Sequence, residues 1–237
     1  MAVAVFPRGN LPPDDNSSDN LPRRDDEARA RLHEVARGAA PVVLARDRAV
    51  PLAGPLGDLV PGGTVARGSV LRVAGRAGAG ATTVSFELAA AVTALGEWVG
   101  AVDIDATLGP LAAAGAGVAL ERFAVVRRVP PARWATVVAA LLDGMSLVLA
   151  EVPRGVALGD ARRLEARARE RESVLVVAET RGAVWPGSAA FTLHATGSAW
   201  ETHAGLAGVL ATRRLRVEVD GRGAAARPRN GELARAG

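Results

Sequence analysis

The sequence predicts an α/β fold with a mostly parallel central sheet, helices on both of its faces, and antiparallel edge strands at its C-terminal end. Short apolar stretches rich in Val and Leu alternate with helical stretches between Gly68 and Thr180. That alternation is typical of a parallel sheet that is buried on both faces. The helical patterns stop after Thr180, and the length of 237 residues suits one domain of this kind.

The individual elements follow from the period of the apolar residues. Short β-branched runs between turn residues predict strands, and longer runs with apolar residues three and four apart predict helices. The predicted strands of the alternating region are Ser69–Ala74, Trp98–Ile104, Phe123–Val129, Ser146–Val152 and Ser173–Glu179. The predicted helices are Thr82–Leu95, Leu108–Ala114, Pro131–Leu142 and Gly159–Glu172. The antiparallel edge strands are predicted at Ala190–Ala195 and Leu215–Val219, with a further candidate at Leu206–Ala211.

Composition divides the chain into an arm, a helix, a core and a tail. Residues 1–24 are rich in Pro, Asp, Asn and Ser and predict a flexible acidic arm. Residues 25–40 predict an N-terminal helix, because acidic residues fill its first turn. Residues 41–220 form the predicted core, whose first part, 41–63, is interpreted as extended and broken by prolines. Residues 221–237 predict a basic, flexible tail.

Several classes of function are excluded by residue types that the sequence lacks. Without Cys, the chain has no disulfide, no thiol nucleophile and no Cys-ligated zinc. His33, His194 and His203 show no metal-ligand spacing, so no metal site is predicted. No uncharged apolar run approaches the roughly 18 residues of a membrane-spanning helix. Met1 to Asn10 lack a signal-peptide pattern, so we expect a cytoplasmic protein that does not bind membranes.

A glycine-rich loop between the first core strand and the first long helix is the strongest motif. Gly75 to Thr82 read G-R-A-G-A-G-A-T, in the context and spacing of the phosphate-binding loop G-x-x-x-x-G-K-[ST]. Ala81 stands in place of the Lys, and Thr82 stands at the magnesium-binding hydroxyl. Backbone N–H groups there can still face an anion. Losing the charged partner, however, weakens nucleotide binding by about ten- to a hundredfold.

The predicted site is therefore a relict nucleotide site with weak residual binding and no required cofactor. A tight glycine turn without any ligand is the alternative interpretation of the same loop. The residues of the predicted site are Gly75, Gly78, Gly80, Ala81, Thr82, Thr83 and Glu151.

Around this loop the chain resembles the core of the RecA-like recombinases. Gly57–Gly75 is similar to that family's entry into the phosphate loop, and Ala101–Pro110 to the strand that precedes the catalytic Glu. Leu142–Val152 resembles the strand with the magnesium-ordering acid, and Val174–Arg181 the strand whose Gln senses nucleotide. The resemblance covers about residues 40–220 and implies a RecA-like P-loop core.

The resemblance assigns a role to one position on each matching strand. The resemblance implies that Thr107 occupies the position of the catalytic Glu. Glu151 then lies at or next to the position of the magnesium-ordering acid, and Glu179 or Thr180 occupies the position of the sensing Gln. A hydrolase needs both the Lys clamp and the water-positioning acid. Because both are replaced, we expect no ATPase activity. A salt bridge or a helix cap is the alternative role for Glu151, and Asp103 is interpreted as a solvated residue at a strand end.

Within that family the chain is most similar to the ImuA-prime subfamily of actinobacterial mutasome accessory factors. The short length, the altered loop and the D-G-M-S-L-V segment at residues 143–148 carry this resemblance. It implies a non-catalytic adaptor in the SOS response, acting in error-prone translesion synthesis. The implied partners are an inactive, ImuB-type homologue of Y-family polymerases and an error-prone replicative-type DNA polymerase, with DNA contacted indirectly. The alternatives are a RecA-type recombinase or other P-loop ATPase, and a degenerate P-loop regulator of cell division or signalling.

Two features predict partner contacts. Arg213, Arg214 and Arg216 lie beside a predicted edge strand, and residues 213–237 carry seven Arg against three acidic residues, which equals the net charge of +4 of the whole chain. A frayed, soluble end is the alternative. Trp185, before a Pro-Gly turn, is predicted to be an exposed interface anchor. By contrast, Trp98 and Trp134 are predicted to lie in the core.

Overall fold

A computed structural model of the chain describes residues 48–180, 182–202 and 210–236. The predictions for residues 1–24 and 25–40 lie outside the described residues, as does most of the candidate strand at 206–211. The strands are β1 (Ala49–Pro51), β2 (Thr64–Ala66), β3 (Val70–Gly75), β4 (Val99–Asp103), β5 (Phe123–Arg127), β6 (Leu147–Glu151), β7 (Val174–Glu179), β8 (Phe191–Thr202), β9 (Leu210–Gly221) and β10 (Arg229–Ala236). The α-helices are α1 (Gly54–Leu59), α2 (Ala81–Ala94), α3 (Pro110–Gly115), α4 (Pro131–Leu142) and α5 (Leu158–Arg171).

The main sheet has eight strands in the order β10-β9-β8-β3-β7-β6-β4-β5. From β8 to β5 all neighbouring strands are parallel, whereas β8, β9 and β10 pair antiparallel with one another. The predicted α/β class, with a mostly parallel sheet and antiparallel strands at the C-terminal end, is confirmed. A separate antiparallel pair is formed by β1 and β2.

Helices cover both faces of the sheet, as the sequence predicts. One apolar cluster joins the buried side of α2, including Phe86 and Leu88, to one face of the strands. A second cluster joins Trp134 of α4 and Leu164 of α5 to the opposite face. Because strand side chains alternate between faces, the adjacent residues Val70 and Leu71 belong to different clusters. This double burial explains why the parallel strands are continuous apolar runs.

The C-terminal strands differ from the prediction in their position in the sheet. The segment predicted at Ala190–Ala195 is not an edge strand, because β8 pairs in parallel with β3, with Phe191 opposite Leu71. The segment predicted at Leu215–Val219 lies in β9, between β8 and β10. Neighbours in a sheet depend on the path of the connections, and the composition of one strand does not encode that path.

The tail expected to be flexible contains an ordered strand over Arg229–Ala236. Leu233 of β10 is buried in the first cluster. At Gly231 the backbone approaches α1 so closely that a Cβ atom there would lie 2.8 Å from a methyl carbon of Leu59. An isolated apolar residue between charged ones, at Leu233, is the weak sequence signal for this strand.

The region expected to be extended before the core contains a short helix. Within the described part of 41–63, α1 begins at Gly54 with Pro55 in its first turn, and a 3₁₀ turn follows at Pro61–Gly63. Pro is tolerated at the start of a helix because its missing N–H would have no partner there. Over the residues that the structure describes, no helix is both long and apolar enough to span a bilayer.

Candidate functional site

The glycine-rich loop forms the predicted strand–loop–helix unit between β3 and α2. Gly78 and Gly80 have φ angles of 80° and 109°, which L side chains rarely adopt. A turn within the loop is closed by the N–H of Ala79, which donates to the carbonyl of Arg76 at 2.9 Å. The glycine spacing of the motif therefore corresponds to backbone geometry that this loop requires.

The first turn of α2 carries no side chain that could replace the missing Lys. Ala81 is the first residue of the helix, and its methyl group is buried. Thr82 is exposed and Thr83 half-buried. The loop thus offers backbone dipoles and hydroxyl groups at this helix end.

Four of the positions that the resemblance places at a nucleotide site line one small cavity, whereas the loop glycines, Ala81 and Thr83 are not among its lining residues. Thr82, Thr107, Glu151 and Thr180 come from four separate segments, and they face a space of about 50 Å³ at the ends of the parallel strands. Drug-sized ligands occupy pockets of about 300–1,000 Å³. The cavity is therefore on the scale of one or two water molecules.

The carboxylate of Glu151 is held on both of its oxygens by neighbouring strand ends. Thr180 donates its hydroxyl hydrogen to Oε1 at 2.8 Å, and the backbone N–H of Ile104 donates to Oε2 at 3.1 Å. The indole N–H of Trp134 donates to the backbone carbonyl of Glu151 at 2.8 Å. Glu151 of β6 therefore ties together the residues that follow β4 and β7.

Asp103 is fully buried, which corrects its interpretation as a solvated strand end. Its two carboxylate oxygens accept the backbone N–H groups of Thr107 at 2.9 Å and Leu108 at 3.0 Å. Arg127 of β5 lies 3.4 Å from the same carboxylate. A buried carboxylate with such partners fixes the turn that brings Thr107 to the cavity. An Asp at the end of an apolar strand, which can accept the backbone N–H groups of the following turn, is the sequence signal for this arrangement.

Glu179, one of the two candidates for the sensing position, is bound elsewhere. Arg72 of β3 makes a two-pronged ion pair with it at 2.8 and 2.9 Å, and the N–H of Trp185 donates to it at 2.7 Å. Thr180, the other candidate, is the residue that reaches Glu151. The Arg72–Glu179 pair was not predicted, although a lone Arg in an apolar strand is a signal for such a pair.

The tryptophan predictions were partly wrong. Trp185, expected as an exposed anchor, is only 2% exposed and contacts the buried Trp134 edge to face, with ring centroids 6.3 Å apart. Trp98, expected in the core, is 46% exposed. Trp134 is buried as predicted. Trp residues beside a Pro-Gly turn occur both at interfaces and in cores, and the sequence does not distinguish the two.

Arg213, predicted to bind a partner, contacts the glycine-rich loop. Its Nη2 donates to the carbonyl of Gly78 at 2.8 Å and to the hydroxyl of Ser198 at 3.2 Å, while Nη1 lies 3.4 Å from the hydroxyl of Thr83. Its guanidinium carbon is 5.6 Å from the ring centre of Trp200, within cation–π range. No local pattern predicts the contact with the loop, because Gly78 and Arg213 are 135 residues apart.

Arg214 and Arg216 do not join Arg213 in one free basic patch. Arg214 pairs with Glu201 at 2.6 Å and with Glu232 at 3.6 Å, and its guanidinium pKa is raised mainly by the hydrogen bond with Glu201. Arg216 lies 4.0 Å from Glu232. The three predicted partner-binding arginines are thus divided between the loop and an acid-balanced surface.

A family model describes the part of the chain that holds the loop and the cavity. The model of the MT3502 N-terminal domain matches residues 58–187, more than half of the chain. The chain belongs to the MT3502 N-terminal domain family. No curated protein matches the chain.

The matched region of the MT3502 N-terminal domain runs from α1 to the loop after β7. It contains Thr82, Thr107, Glu151 and Thr180. Strands β8, β9 and β10, which include Arg213, lie beyond the matched region. The contact between Arg213 and Gly78 therefore joins this chain's C-terminal strands to its family domain.

Proposed function

We propose that the protein is a non-catalytic, RecA-like accessory factor that acts through protein contacts in DNA-damage-induced, error-prone translesion synthesis. The clustering of Thr82, Thr107, Glu151 and Thr180 supports the RecA-like interpretation of the fold. Each position comes from a different segment that resembles a RecA-like motif, and the parallel pairing of β4, β6 and β7 brings three of these segments to one edge of the sheet.

One observation carries the non-catalytic part of the proposal: the groups at the cavity are a poor fit to a magnesium triphosphate. Ala81 presents a buried methyl group where phosphate transfer needs a cation, and Thr107 presents a hydroxyl where it needs an acid. Glu151, the one ionisable group among the described lining residues, has each oxygen bonded within the protein. One of the two lone pairs of each oxygen is thus already engaged within the protein.

The partners follow from the resemblance to ImuA-prime. An inactive Y-family polymerase homologue and an error-prone replicative-type DNA polymerase are the proposed contacts, in the cytoplasm, with DNA reached through them. In this role the sheet, which is covered by helices on both faces, is a rigid scaffold. Activity then depends on surfaces and not on nucleotide turnover, in contrast to the recombinase and ATPase alternatives.

Complementation in damaged cells tests the proposal. Cells lacking the gene receive the wild-type chain, the Thr82→Ala variant, or the control variant Thr196→Ala, which makes the same change at an exposed position of β8. Thr82 is itself exposed, so the protein should fold without its hydroxyl. We expect all three chains to restore ultraviolet-induced mutagenesis equally and to bind the purified Y-family homologue equally.

Two results would overturn the proposal. If Thr82→Ala abolishes mutagenesis while Thr196→Ala restores it, at equal protein levels, the loop acts through a bound nucleotide. If loss of the gene leaves damage-induced mutagenesis unchanged, the translesion role is wrong, and the signalling or cell-division alternative gains support.

A further inference from the structure

The hairpin of β8 and β9 extends past the end of β3 and reaches the glycine-rich loop. β3 ends at Gly75, opposite Ala195, so the part of β8 from Thr196 onward continues beyond it. We propose that this hairpin is a built-in latch, which holds the loop of residues 76–80 in its closed shape without a nucleotide. The proposal goes beyond the adaptor function, and either can fail without the other.

The first part of the latch is a pair of hydrogen bonds to one loop carbonyl. The carbonyl oxygen of Gly78 accepts from the hydroxyl of Ser198 at 2.9 Å and from Nη2 of Arg213 at 2.8 Å. Gly78 is an exposed residue at the left-handed turn of the loop. Both donors come from the hairpin, so the most exposed turn of the loop is fixed from outside the strand–loop–helix unit.

The second part of the latch is apolar. Leu215 of β9 is fully buried, and a Cβ atom built on Gly80 would lie 2.3 Å from its Cδ2. A side chain at residue 80 would therefore have to displace this methyl group, in addition to adopting a φ angle of 109°. This contact gives the second glycine of the motif a role that involves no phosphate.

Contacts within the hairpin keep Arg213 in place. Its guanidinium stacks over the ring of Trp200, the residue opposite it in the strand register. Nη1 adds a weaker contact to the hydroxyl of Thr83 in α2. The Nε–H group of Arg213 is buried without a hydrogen-bond partner among the described residues. This orientation is therefore held by the Nη contacts and by the stacking.

With the latch in place, little conformational change of the loop is left for a ligand to drive. A ligand shifts a conformational equilibrium only by its difference in affinity for the two states. When the hairpin already stabilises the closed loop, a nucleotide gains little by closing it. The loop then serves as a fixed element of the scaffold that joins the family domain to the C-terminal strands.

Hydrogen exchange of the backbone amide of Ala79, which donates to the carbonyl of Arg76 within the loop, tests the latch. The samples are the wild-type chain, Arg213→Ala, Ser198→Ala and the control Arg216→Ala, whose side chain is 67% exposed and reaches Glu232 instead of the loop. Each is measured with and without magnesium ATP. Amides of β6 report whether each variant remains folded.

The latch predicts slow exchange of the Ala79 amide in the wild type, unchanged by ATP. This amide should exchange about tenfold faster in Arg213→Ala and somewhat faster in Ser198→Ala. Its exchange rate should not change in Arg216→Ala, and the amides of β6 should be unaffected in every variant. Wild-type loop exchange that slows only when ATP is added would overturn the latch. So would loop protection that survives in both Arg213→Ala and Ser198→Ala. If Arg213→Ala unfolds, the exchange rate in Ser198→Ala alone tests the latch. The mutagenesis result with Thr82→Ala is independent of these outcomes.

Discussion

The glycine-rich loop and the β8–β9 hairpin lie in contact, yet they differ in what their sequences reveal. The loop keeps the spacing of a phosphate-binding motif and has lost its cation at Ala81. The hairpin has no motif, and it brings the guanidinium of Arg213 to the carbonyl of Gly78 in that loop. The family model matches the loop and stops before the hairpin. The comparison teaches that a motif shows which group is missing from the loop, whereas only the fold shows which distant group contacts it.

The largest expected effect comes from removing the apolar contact between the two regions. Leu215→Ala should lower the free energy of unfolding by about 2–5 kcal/mol, because Leu215 is fully buried between the hairpin and the loop. The control is Leu111→Ala at a residue that is 88% exposed, where a change within about 0.5 kcal/mol is expected. Urea denaturation followed by circular dichroism measures both. Equal, small effects would show that the hairpin does not pack on the loop.

A pair of glycine substitutions separates backbone strain from contact with the hairpin. Gly78→Ala should destabilise by about 1–2 kcal/mol through its positive φ alone, since a Cβ there meets nothing within 4 Å. Gly80→Ala adds a clash with Leu215 to the same kind of strain and should cost about 2–4 kcal/mol. Thermal denaturation of the two variants gives the difference. If Gly80→Ala is no worse than Gly78→Ala, the hairpin yields easily and the packing argument is wrong.

The smallest expected effects on stability come from removing one of two ion pairs. One pair lies in the scaffold and the other lies on the hairpin. Arg67 bonds both oxygens of Glu97, at 2.6 and 2.9 Å, and this holds the pKa of Glu97 below its ordinary value of 4.5. A carboxyl whose pKa is lowered by folding stabilises the protein above its unfolded pKa. That contribution is lost as the pH falls through the lowered value.

Glu97→Gln should therefore reduce stability by about 1 kcal/mol at neutral pH, and it should make the loss of stability below pH 4.5 less steep. Glu201→Gln, in the half-exposed pair with Arg214 on the hairpin, should change stability by less than about 0.5 kcal/mol. Urea midpoints between neutral pH and pH 3 measure the two slopes. The opposite ranking would mean that the hairpin surface contributes more to stability than the scaffold pair.

The parallel part of the fold could be predicted from the sequence to within a residue or two. The helix at Pro131–Leu142 has the predicted bounds, because its Pro start and its apolar spacing are local signals. The burial of Trp185 could not be predicted, because it depends on the distant helix α4. The turn that holds Asp103 is local, since its carboxylate accepts N–H groups four and five residues along the chain, but the contact with Arg127 of β5 is not local. The resemblance to RecA-like proteins predicted that Thr107, Glu151 and Thr180 lie near one another, and nothing in the sequence predicted the contact of Arg213 with the loop.

Phosphate release from ATP is the measurement that tests the central claim most directly. Purified wild-type protein and Thr82→Ala are compared in magnesium ATP, with and without single-stranded DNA. Because Ala81 and Thr107 replace the charge clamp and the water-positioning acid, the account predicts that both proteins release phosphate at the rate of buffer alone. DNA-stimulated release by the wild type that Thr82→Ala abolishes would contradict it, since a contaminating ATPase would not respond to that substitution.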